Sequence, residues 1–311
     1  MDLFIIGNGF DLGHGLHTRY WNFRCYLEEH QEDFLRDFEE KYCLWGKGLQ
    51  TYLWNDLEFN LANIDDYVLI EQMLQSTDLG LESGNIGIED TLNDYFGDKF
   101  KYIEELTIYL KEWIEVVNKD LDGINRRTSL IDESHQDIFI NFNYTTTLEA
   151  IYNISRWNIL HIHGVVESDD ELVLGHSNSS RIDYFYENYK DCQNRFDEQR
   201  APIYKVLTDY CSKTYKDVKN YIDQLLSLKF DAVERVIIIG HSLGDVDLPY
   251  FEEVKKRVNE NTEWHVYYYS ENDINNFRDK LNQIGIIEQY IKFIHCDTFY
   301  DLPLVEQTKV N

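Results

Sequence analysis

Proline is nearly missing from this chain: three residues in 311 leave no stiff linker between folded parts. Cysteine is sparse too. The five present (Cys25, Cys43, Cys192, Cys211 and Cys296) are odd in number, scattered and without a C-x-x-C pair. That pattern argues against a disulfide framework and a zinc knuckle and fits a reducing compartment. No apolar run approaches the roughly 20 residues that span a bilayer, and Met1 leads into an apolar run without a basic stretch or cleavage-site pattern. The expectation is a cytoplasmic protein, neither secreted nor membrane-spanning. Positive charge is the third shortage: 29 Lys and Arg stand against 57 Asp and Glu, for a formal net charge of −28. Such a field repels phosphate backbones and anionic lipid at long range, so generic nucleic-acid binding is disfavoured. The densest basic run, Lys255-Lys256-Arg257, is short and reads as a solvated helix face.

What is present begins at the first residues. Leu3, Phe4, Ile5 and Ile6 read as a buried parallel strand that empties into Gly7-Asn8-Gly9 and then into helix-forming sequence. This is the grammar of a nucleotide-binding βα unit, in which Gly7 and Gly9 let backbone approach a phosphate without a Cβ in the way. Leu12 stands where the dinucleotide fingerprint wants its third glycine. From about Trp21 to Asp132 no strand is predicted. Aromatic residues recur at helical spacing through Phe34, Phe38, Tyr42 and Trp45, and again through Tyr102, Leu106, Tyr109 and Trp113. The stretch reads as a helical insertion, interrupted by a loop over Ser76–Gly97, with its aromatic stripes as core.

Strands return at Asp137–Phe142, Ile159–Ile162 and Leu172–Leu174, followed by a helical stretch from about Tyr184 to Leu228. The end of the chain alternates: strand Val233–Ile239, helix Pro249–Val258, strand Glu263–Tyr269, helix Ile274–Ile284, strand Ile291–His295. The fold class expected is α/β, a doubly wound, mostly parallel sheet with large helical insertions. Residues 1–20 and 133–311 form its nucleotide-binding domain, and 21–132 the insertion.

Four polar clusters stand where predicted strands end: Gly7–Asp11, Asn141–Thr145, His161–Gly164 and Gly240–Asp247. Strand ends are where an open α/β sheet holds ligands. The competing account is helix capping by Asp11, Asn143, Thr145 and Asp247. His161 and His163 lie two apart, so within a strand their rings share a face, and histidine is the side chain suited to move a proton near neutral pH. A metal reading lacks a third ligand at a telling spacing, and a buried, hydrogen-bonded histidine is the plainer alternative. Gly240-His241-Ser242-Leu243-Gly244 raises a rival, because G-x-S-x-G after a strand is the nucleophile elbow of serine hydrolases. Ser242 would then need Asp273 and His295 as partners.

Taken in order, IIGNGFDLGHGL-x-T-x-Y, NFNYTTTLE, HIHG and GHSLGDVD-x-PYF resemble the AbiH family of bacterial phage abortive-infection proteins over nearly the whole chain. The same motifs are similar to a divergent sirtuin-like NAD-binding fold. Gly7-Asn8-Gly9, Gly15-Leu16 and Tyr20 parallel the sirtuin opening. Asn143 falls on the sirtuin Asn, His163 on the catalytic His before Gly, and Gly240 and Ser242 on the later Gly-x-Ser turn. The sequence departs from sirtuins at Asp11, where they carry Ser, at His17 in place of Pro, and at Thr145 in place of Asp. It also lacks zinc-ribbon cysteines, which argues against protein deacylation.

The resemblance implies NAD as substrate or ligand, with Asn143 and His163 as catalytic residues and water as nucleophile. It implies a cofactor site of Gly7, Asn8, Gly9, Phe10 and Asp11 on the first turn, His161 on the third strand, and Gly240, His241, Ser242, Asp245 and Asp247 on the late turn. The function expected is phage defence through binding NAD⁺, with hydrolysis of its nicotinamide–ribose bond as the catalytic form of that reading. The alternatives are a non-catalytic nucleotide-sensing module acting through a partner, and a serine hydrolase using Ser242. The implied partners are a small-molecule nucleotide and a phage-derived trigger. The insertion reads as a lid, as the interface of a homo-oligomer, or both.

Overall fold

A run such as Leu3-Phe4-Ile5-Ile6, apolar at every position, suits a strand covered on both faces, which is the environment of a parallel sheet. The computed structural model, which describes residues 1–40, 42, 44–63, 67, 71, 102–166 and 172–304, contains such a sheet. Its strands are β1 (Asp2–Ile6), β2 (Ile138–Asn141), β3 (Ile159–His161), β4 (Arg235–Ile239), β5 (Glu263–Tyr268) and β6 (Ile291–His295). All neighbours pair in parallel, in the order β3-β2-β1-β4-β5-β6. From β1 the chain builds outward through β2 and β3, then returns to the other side of β1 and builds outward again. The reversal falls between β1 and β4, paired in register from Asp2↔Arg235 to Ile6↔Ile239.

Alternate residues of the central strands (Leu3, Ile5, Ile140, Val236, Ile238, Val266) join one apolar cluster with Phe251, Val254, Phe277 and Leu281. The last four lie on two helices, α3 (Leu248–Arg257) and α4 (Asp273–Gln283). Two shorter helices, α1 (Asn8–Gly13) and α2 (Thr147–Tyr152), follow β1 and β2. On the intervening positions Phe4 stacks on Phe139 with ring centroids 5.0 Å apart. The ladders continue past the strands: Phe142 N–H donates to the Ile6 carbonyl, Gly7 N–H to Ile239 and Ile162 N–H to Asn141. The strand-end turns are thereby held to the sheet.

The chain divides into two compact units. One comprises Met1–Arg19, Lys111–Val173 and Asp217–Asn311, the other Tyr20–Leu110 and Leu174–Lys216. The sequence placed all of 133–311 in one domain, whereas 174–216 folds with the helices that follow Arg19. The physical reason is a buried seam within the second unit. Helices Ser179–Asn194 and Arg200–Lys213 bury Phe185, Ile203, Leu207 and Tyr210, and Lys216, its side chain fully buried, faces Glu58 at 3.6 Å. Glu58 also accepts from the Tyr20 hydroxyl at 2.6 Å. In the same unit Glu39 takes Arg24 at 2.7 and 3.2 Å and the Trp54 indole at 2.7 Å.

Several boundaries differ from expectation. Leu172–Leu174 is not a strand: Val173 N–H makes one bond to the His163 carbonyl, and no ladder follows. The helical stripe stops at Glu40, so Tyr42 is buried whereas Trp45 is 80% exposed. The loop predicted over Ser76–Gly97 lies outside the described residues. Among the described residues no helix is long and apolar enough to cross a membrane. Ile238 is 1% exposed in the central sheet, so Ile238→Ala is expected to lower stability by about 2–5 kcal/mol, measured by urea unfolding.

Candidate functional site

In open α/β sheets, ligands bind beyond the carboxyl ends of the strands where the strand order reverses. Here that position lies between the turns after β1 and β4. The two turns touch through backbone. Gly7 N–H donates to Ile239 at 3.0 Å and Gly9 N–H to Gly240 at 2.8 Å. A Cβ on Gly7 would fall 2.6 Å from the Gly240 oxygen, one on Gly9 2.6 Å from Gly240 Cα, and one on Gly240 2.2 Å from the Phe10 nitrogen. Gly240 also has φ +69°. The glycines expected to admit a phosphate thus admit each other.

Behind this contact Asp11 is buried, and its two carboxylate oxygens accept from the hydroxyls of Thr145 at 2.7 Å and Thr147 at 2.8 Å. Burial raises its pKa to about 6, opposed by hydrogen bonds from Thr145, Thr147 and Asn143. Asn143 is buried, with its amide donating to the Gly7 carbonyl at 3.2 Å and its backbone N–H to Asn141 Oδ1 at 3.0 Å. Asp11 and Asn143 therefore lock the first turn to the second. Neither acts as a helix cap. Phe10 points into the core against His14, Tyr152 and Phe299. The His14 ring donates to the Phe10 carbonyl at 2.7 Å and accepts from the Tyr152 hydroxyl at 2.8 Å, while that hydroxyl accepts from Arg127 N–H. Burial first, then the Arg127 charge, lower its pKa to about 4 against the opposing Phe10 bond.

The chemistry-bearing group lies one turn further. Asp247 immediately precedes α3, yet its side chain makes no capping bond. Its carboxylate instead faces two imidazoles: His163 Nε2 is 3.6 Å from Oδ1, and His241 Nε2 is 3.4 Å from Oδ2. His241 Nδ1 accepts from Leu243 N–H at 3.0 Å, which in the neutral ring leaves the proton on Nε2, aimed at Asp247. Phe142 packs edge-on against both rings, with centroids 5.4 Å from His163 and 4.5 Å from His241. Both histidine side chains are 4% exposed and that of Asp247 is 18% exposed. The result is a mostly buried carboxylate–imidazole constellation that can orient a base and stabilise positive charge.

Other predicted residues go elsewhere. β3 ends at His161, so the period of two no longer governs His163. The rings face different carboxylates, His161 Nε2 meeting Glu149 at 2.9 Å. Asn8 is exposed and accepts from Thr18 at 2.6 Å. Asp245 pairs with Lys280 at the surface. Ser242 is exposed, and α3 begins six residues later at Leu248, while Leu243 rather than Ser242 carries the positive φ. Asp273 opens α4, and His295 ends β6, two strands from β4. Ser242 and these expected partners do not form a nucleophile elbow. Thr147, bonded to Asp11, and Glu149, facing His161, both lie in the N-F-N-Y-T-T-T-L-E run, but their residue types and spacing carry no signal of these partners.

Two outcomes follow. Gly240→Ala is expected to cost at least about 2 kcal/mol, from a positive φ and an unavoidable backbone clash. Gly244→Ala, whose Cβ would meet nothing closer than 3.7 Å, is expected to be tolerated in the same unfolding assay. Because the folded pKa of Asp11 lies above its unfolded value, its contribution to stability falls as pH rises from about 4 to about 6. Asp11→Asn should therefore gain about 1 kcal/mol more relative to wild type at pH 7.5 than at pH 5. His14 acts oppositely, its contribution being lost as pH falls from about 6.5 to about 4, and the variant comparison cancels it.

No curated protein and no solved structure matches this chain. A family model described as bacteriophage abortive infection AbiH matches residues 3–268, a span that includes every strand-end cluster described above. The chain belongs to the AbiH family of bacteriophage abortive infection proteins.

Proposed function

We propose that the strand-end face at the β1/β4 reversal binds NAD⁺ and hydrolyses its nicotinamide–ribose bond, with His163 and Asp247 as the reacting pair. The observation that carries this reading is the carboxylate of Asp247 held between His163 and His241, beside the switch point of a 3-2-1-4-5-6 sheet. The family's role in abortive infection is compatible with it, since depletion of a central cofactor stops an infected cell's metabolism.

Cleavage of an N-glycosidic bond builds positive charge on the ribose C1′ as the leaving group departs. A partly buried carboxylate stabilises that charge more strongly than one in bulk water. His163, oriented by Asp247, takes a proton from the attacking water. The new C1′–O bond then replaces the C1′–N bond, and NAD⁺ and water yield nicotinamide, ADP-ribose and a proton. Asn143 acts by holding the first turn through the Gly7 carbonyl. A sensing module is the second reading, favoured by that same bond and by the engagement of both Asp11 oxygens with threonines.

The test is to incubate purified wild type, His163→Ala and Asp247→Asn with NAD⁺ and quantify nicotinamide and ADP-ribose by chromatography. Wild type is expected to release both in equal amounts. His163→Ala should be slower by about 10²–10⁴-fold, the usual worth of a general base, and Asp247→Asn should also be impaired. Equal turnover by wild type and His163→Ala overturns the assignment. Saturable NAD⁺ binding without product supports the sensing module instead.

A further inference from the structure

Beside the edge strand β3, in the same unit as the sheet but away from the β1/β4 reversal, lies a cleft of about 530 Å³. That volume is within the usual range for small-molecule sites. Its walls include Ile159, Val165 and Val173, and Tyr221 and Gln224 face them. Arg156 and Trp157, adjacent in the turn that precedes β3, complete the lining.

Those two residues are unusual for this chain. Trp157 is 94% exposed, and among the described residues its indole makes no ring contact or hydrogen bond. Acids outnumber bases 57 to 29, yet Arg156 makes no ion pair or hydrogen bond among the described residues. The other described arginines are each engaged with another group. An uncommitted guanidinium beside an uncovered indole, at the mouth of an apolar cleft, presents an anion-binding fork and a stacking surface together.

We infer that this cleft is a second ligand site, for a planar heterocycle carrying a phosphate, of the size of a nucleoside monophosphate. The ring stacks on Trp157 with its edge against the apolar wall, and the phosphate takes the fork of Arg156. Gln224 supplies an amide to the polar edge of the ring. Ile162 and Gly164 also line the cleft, so the occupant lies against the segment that carries His163. The site does not depend on the reaction assigned to the strand-end face.

Calorimetric titration of the full chain with AMP, CMP, GMP and UMP, and with inorganic phosphate and adenosine as partial ligands, tests this. At least one monophosphate should bind saturably and more tightly than phosphate or its nucleoside. Its Kd should rise tenfold or more in Arg156→Gln and in Trp157→Ala, both surface changes compatible with folding, as charge-assisted bonds and base stacking are each worth that much. Absence of binding by all four, or affinity unchanged in either cleft variant, would overturn the proposal.

Discussion

The turn from Gly7 to Phe10 lies directly on Gly240 and His241, and no side chain fits between them. This backbone contact joins the two halves of the sheet at the point where the strand order reverses. It depends on three residues without a Cβ, one of them with φ +69°. Everything at the strand ends is placed relative to it. The Asp11–Thr145–Thr147 cluster and the Asn143 amide fix the second turn against the first, and the turn after β4 carries His241 and Asp247 into position.

The C-terminal segment reinforces the same turn. The Tyr300 hydroxyl donates to the Gly9 carbonyl at 3.2 Å, and Arg127 reaches both the Gly13 and Leu302 carbonyls. Carbonyls at the exit of β1 and α1 thus receive partners from distant parts of the chain, as buried backbone groups require. Rigidity here is useful to the proposed chemistry, because a base oriented by a carboxylate acts only if its support does not move. It also explains how Asp11, costly as a buried carboxylate, is accommodated: its partners are neutral hydroxyls that lower its pKa without bringing another charge.

Much of the fold was legible because parallel strands buried on both faces leave uninterrupted apolar runs. Leu3–Ile6 and Val236–Ile239 could be read directly, and the late strand–helix alternation implied the sheet's direction. The failures share one cause, that spacing does not reveal a residue's partner. Gly7 and Gly9 stand at the turn after β1, but spacing alone does not show that this turn packs on Gly240. The i, i+2 spacing of His161 and His163 implied one face until the strand proved to end between them. Asp247 reads from the sequence as a ligand-site residue or a cap, and the structure shows a side chain that makes no capping bond and faces two rings. The helices of 179–213 gave no sign of which unit they would join, since a helical period reports an apolar face and not what covers it.

The proposed dinucleotide site is the face formed by the β1 and β4 turns, with His163, Asp247 and His241. A crystal structure of His163→Ala soaked with NAD⁺ tests it most directly. NAD⁺ is expected to lie across the ends of β1 and β4, with its nicotinamide ribose toward Asp247. NAD⁺ bound elsewhere on the molecule, or an empty strand-end face at saturating NAD⁺, would contradict it.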